Sequence, residues 1–159
     1  MKEFILAILF FSVFLVNDSY GADGNLLDIN KKFIEESINI KKQFTDSKDV
    51  LITNSLWDSC IMTVEQVRAY FYMLDIFNTI KIENLEDKAV DSLVSWLDQI
   101  KDTNNLNIKS LGGFAASVSH ETKRSMIKIN QYYIELNKQI DLEKAKVMLI
   151  KRTIKTKKK

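Results

Sequence analysis

The sequence predicts an all-α protein, a helical bundle of about four helices with an extended C-terminal helix. Three observations predict it. The 159 residues contain no proline and only four glycines, too few turn-formers for the many reversals of an all-β or α/β fold. Trp57, Cys60, Val64, Val67, Phe71 and Leu74 recur at 3-4-3-4-3 spacing, the seam of a bundle or coiled-coil helix. Beyond Phe114 the chain has neither glycine nor proline, so nothing in its backbone chemistry stops a helix there. The length suits one domain rather than two.

Residues 1–21 read as a cleavable signal peptide. Lys2 gives a positive start, weakened by Glu3. Phe4 to Val16 is a 13-residue apolar run broken only by Ser12. That is the length of a signal core and short of the ~20 residues a membrane-spanning helix needs. Ser19 and Gly21 are the small residues expected before a cut at Ala22. Export is therefore expected, to the periplasm or the medium of a bacterium. Frequent Lys, Ile and Asn suit an AT-rich coding sequence. No transmembrane segment is expected once the signal is removed. Cys60 is the sole cysteine, so no internal disulfide staples the fold, and its place on the apolar seam reads as a small buried hydrophobe.

Residues 22–143 are expected to form the bundle. A first helix runs from Leu26 to Phe44, with Leu26, Ile29, Phe33 and Ile40 on one side and Leu27, Ile34 and Ile38 beside them. Ser47 or Asp49 is a candidate cap for the second helix, whose seam is widened by Leu56, Ile61, Tyr70, Met73 and Phe77; being so apolar, it is expected at the centre. Asn84 is a candidate cap for a third helix, from Leu85 to about Lys101, with Ala89, Leu93, Trp96 and Ile100 as its stripe. The polar stretch Asp102–Asn107 reads as a loop. It lacks the ligand series and glycine of a calcium loop. Gly112 and Gly113 mark a break before the last helix, striped by Val118, Met126, Ile129, Tyr133, Leu136 and Ile140, then by Val147, Ile150 and Ile154.

Charge is distributed unevenly. Without Lys2, Glu3 and Asp18, 22 basic and 19 acidic residues remain. Eight of the basic ones, Lys144, Lys146, Lys151, Arg152, Lys155, Lys157, Lys158 and Lys159, lie in residues 144–159, which hold no acid. The body is thus net −5 and the end +8. This end reads as a basic helical extension projecting from the bundle, and its eight cations are the candidate anionic-partner site. Solubilisation, and complementing the negative end of the helix dipole, are the ordinary uses of such a run.

Catalytic, cofactor and metal sites are not expected. His120-Glu121 begins like a zinc-protease signature, but Arg124 stands where the second histidine belongs. One histidine and one cysteine sixty residues apart make a poor metal set, and no glycine loop cradles phosphate. The reading is an exported, non-enzymatic helical bundle acting through protein–protein or surface contacts. Alternatives are an electrostatic binder of anionic lipid, cell-wall polymer or glycan through the basic end, a periplasmic chaperone-like protein, and an unrecognised hydrolase. A net charge of +2 gives no reason to expect nucleic acid.

Overall fold

Amphipathic stripes of this kind bury themselves by packing against one another, and four of them do so here. The computed structural model describes residues 24–43, 49–79 and 87–157; the predicted signal peptide, the Ser47 and Asn84 caps, Lys158 and Lys159 lie outside them. The helices are α1 (Gly24–Gln43), α2 (Val50–Thr79), α3 (Asp87–Phe114) and α4 (His120–Lys157). Among the described residues there is no strand. Each helix packs on two neighbours in the cyclic order α1, α2, α3, α4. The bundle is antiparallel throughout, as short connections dictate. The apolar second helix is therefore one corner of four and not a central rod, which corrects the sequence expectation.

The α2 seam is buried as its spacing requires: Cys60, Val64, Val67 and Phe71 are inside, with Leu56 and Tyr70 beside them. Trp57 and Leu74 are half-buried. In α4, Met126, Ile129, Tyr133, Leu136, Ile140 and Val147 are buried. In α3 the buried line is Val90, Leu93, Leu97 and Ile100. Ala89 and Trp96 stand at its edge instead, where the Trp96 indole N–H donates to the Gln66 carbonyl of α2 at 3.0 Å.

Two boundaries differ from expectation. Residues 102–107 are not a loop; α3 runs through them to Phe114 and contains Gly112 and Gly113 in its last turns. The break before α4 is residues 115–119. There Ser119 caps α4, its hydroxyl accepting from the Thr122 N–H at 3.3 Å. Asp49 ties two helix starts together. Its carbonyl accepts the Thr53 N–H of α2 at 2.9 Å, while its carboxylate accepts from the Ser119 N–H and the Thr122 hydroxyl at 3.1 and 2.7 Å. A carboxylate at the positive end of α4 is favourable on both counts.

The α4 helix is continuous through Asp141 and, at 38 residues, spans about 57 Å. Its described basic stretch does not project. Lys101 of α3 pairs with Asp141 at 2.6 Å and Lys144 with Asp98 at 2.5 Å, and Lys151 pairs with Asp91. Val147 is buried between these rungs and Ile150 packs on the same core. The rungs are spaced alike on both helices, so they form one antiparallel register, and Asp87 at the start of α3 lies level with the end of α4.

Candidate functional site

The core is two apolar clusters separated by a polar waist. One cluster holds Leu26, Val67, Phe71, Leu97, Leu136 and Ile140 among others. The other holds Phe33, Leu56, Cys60, Val64, Leu111 and Tyr133. Between them each helix turns a polar side chain inward: Asn30, Thr63, Asn104 and Asn137, all buried. The Thr63 hydroxyl donates to Asn104 Oδ1 at 3.2 Å, and Asn104 Nδ2 donates to Asn137 Oδ1 at 2.9 Å. Asn137 Nδ2 in turn donates to Asn105 Oδ1 at 3.0 Å. Asn30 Oδ1 is buried without a protein hydrogen-bond partner among the described residues. Such a layer contributes little net stability, but it fixes which residues of neighbouring helices stand level.

The waist extends towards the lone thiol. Asn107 Nδ2 donates to the Tyr133 hydroxyl at 3.1 Å, and that hydroxyl lies against the Cys60 thiol. Burial pushes the Cys60 thiol up to about 12, against a smaller opposing pull from the Tyr133 hydrogen bond. Burial, then the adjacent thiol, raises Tyr133 well above the usual phenol range. Both groups are held protonated at neutral pH, the reverse of what a nucleophilic cysteine requires. On the opposite side of the waist the buried Tyr70 donates to Glu143 Oε1 at 2.9 Å; burial and then the Glu143 charge raise its pKa too. His120 stands exposed at the start of α4. No three His, Cys, Asp or Glu side chains among the described residues are placed to hold a metal ion.

The eight candidate cations fall into three groups. Lys144 and Lys151 bind α3 aspartates, and Lys146 pairs with Glu143 one turn back at 3.4 Å. Arg152 is exposed. The side chains of Lys155 and Lys157, and all of Lys158 and Lys159, lie outside the described residues. Two of the eight, Lys144 and Lys151, thus tie α4 to α3.

What the sequence reading missed is the outer surface of α4. Ile127, Ile134, Leu142 and Leu149 are 52%, 44%, 55% and 59% exposed. Together with Arg124, Gln131, Lys138, Ala145 and Arg152, all exposed, they step by three and four. At 100° per residue these nine positions fall within about 80° of one another. They form a straight ridge about 42 Å long, apolar at five places, cationic at three and without a carboxylate. The signal was present in the spacing, but a second stripe on a helix with a strong first one is easily read as widening of the core face. Elsewhere Leu51, Tyr72 and Leu106 are 81%, 68% and 63% exposed. No helix among the described residues is long and apolar enough to cross a membrane.

Compared with protein families, curated proteins and solved structures, the chain matches none of them.

Proposed function

We propose that this chain is an exported, non-enzymatic bundle that works by presenting its outer faces to a partner. The observation that carries this reading is the set of large apolar side chains turned outward on α2, α3 and α4, with Leu51, Tyr72 and Leu106 the most open. Isolated exposed hydrophobes are ordinary, but a run of them along one element marks a contact surface. Export rests on the apolar run Phe4–Val16 and the small residues Ser19 and Gly21.

Photo-crosslinking in the native host tests the contact reading. A benzoylphenylalanine placed at Tyr72, Leu106 or Leu142 should give discrete adducts, and one placed at the outward Lys109 should not. Equal yields at all four positions refute it. Mass spectrometry of the native protein should find a chain starting at Ala22; a chain retaining Met1 refutes the export reading.

A second reading, attachment of the basic end to an anionic surface, is favoured by the five C-terminal cations from Arg152 onward in a stretch without acids. Near an anionic membrane each contributes about 1 kcal/mol. Testing it by truncation before Lys144 would remove Val147, which is buried. Substitution of the terminal lysines is the cleaner perturbation.

A further inference from the structure

We infer that the outer ridge of α4 is a docking surface for an anionic lipid membrane, on which the helix lies flat. The inference rests on the second reading above and gives it a geometry: not attachment end-on by the tail, but contact along the whole helix. The apolar members Ile127, Ile134, Leu142, Ala145 and Leu149 follow one another down the ridge, and Leu142 and Leu149 are each more than half exposed. An in-plane helix sinks such a face about 5–10 Å into the headgroup boundary. Arg124 and Arg152 stand on the same ridge, where long cationic side chains can lay their stems on apolar surface and hold their charges among headgroups; Lys138, between them, is paired with Glu135 at 3.3 Å. In sequence the ridge runs on into Lys155, Lys157, Lys158 and Lys159.

Charge selects this occupant over two others. Of the carboxylates beside the ridge, Asp141 is engaged by Lys101 and Glu135 by Lys138, and Glu121 stands one turn before Arg124 at its start. The ridge itself offers no acid to a basic partner. A second copy fits poorly as well. The three cations are evenly spaced, fourteen residues apart. Parallel pairing, and antiparallel pairing centred on Lys138, therefore both set like charge against like, which costs affinity.

The test is co-sedimentation of the full chain with vesicles of phosphatidylcholine alone, or with about one third phosphatidylglycerol, at physiological salt. The apolar run Phe4–Val16 contributes equally to every variant, so the readout is the excess binding to the anionic vesicles. Leu142→Glu with Leu149→Glu should lower that excess at least about tenfold, as expected when two leucines lose their burial, with an unchanged melting temperature. If the glutamates lower the melting temperature, Leu142→Gln with Leu149→Gln takes their place. Undiminished binding by a folded ridge variant overturns the inference. If Lys155→Gln, Lys157→Gln, Lys158→Gln and Lys159→Gln together then abolish binding, the tail reading stands without the ridge. No excess binding by the unaltered chain overturns both. A dimer in sedimentation equilibrium that Leu142→Glu dissociates assigns the ridge to a second copy and likewise overturns the inference.

Discussion

Replacing Asn104 by leucine sets two effects of opposite sign against each other. Asn104 is 0% exposed and stands on the buried line of α3, where a leucine looks like an improvement by hydrophobic pattern alone. Burying the leucine side chain contributes about 1.5–3 kcal/mol. The substitution also removes the acceptor of the Thr63 hydroxyl and the donor to Asn137 Oδ1. Leaving a buried polar group unsatisfied costs about 1–3 kcal/mol, so two cost about 2–6 kcal/mol. Asparagine already buries part of the same stem, which trims the apolar gain. The expected net is a loss of about 1–3 kcal/mol. Urea unfolding followed by circular dichroism at unchanged m-value measures it. Adding Thr63→Val and Asn137→Leu should recover most of the loss, because no orphaned partner then remains. A neutral or stabilising Asn104→Leu would refute the claim that Asn104 is held in the waist by Thr63 and Asn137.

Phe71→Ala should cost about 3–5 kcal/mol, since the ring is buried and stacks edge-on against Tyr70 with centroids 5.3 Å apart; a loss under about 1 kcal/mol would place it outside the core. Asp49→Ala should lower stability by about 1–2 kcal/mol through the lost anchor of the α4 start, seen as a fall in melting temperature. Cys60 should react with a thiol reagent only after denaturation. Its thiol ionises near 9 in an open chain and about 12 in the fold. The unfolded state therefore loses its proton first, and this contribution to stability is full below pH 9 and drains away as pH rises towards 12. The wild type should lose stability across that window relative to Cys60→Ala; parallel pH curves would show that the thiol is not buried.

The bundle was legible in the sequence because its seams follow helical spacing in apolar residues: Val64, Val67 and Phe71 in α2, and Ile129, Tyr133 and Leu136 in α4, are buried as read. The stretch 102–107 misled because Asn and Asp compete with the helix backbone and favour turns. Its helical state depends on partners from α2 and α4, which no local pattern displays. Asn30 and Ser37 were missed for a related reason. They occupy seam positions of α1, and Ser37 satisfies itself locally by donating to the Ile34 carbonyl at 2.7 Å. The engaged lysines of residues 144–151 were invisible because their aspartates lie 46 and 60 residues away.

The two tryptophans fall on opposite sides of the polar waist. Trp96 packs on the cluster around Leu97 and Ile140, while Trp57 stands half-buried on α2, next in sequence to Leu56 of the other cluster, with the Lys41 ammonium 6.0 Å from its ring centre. The molecule thus carries one half-buried native fluorophore towards each end of the bundle. Chains retaining a single tryptophan can report the melting of each half separately, and superimposable curves would mean that the asparagine layer couples the halves into one cooperative unit.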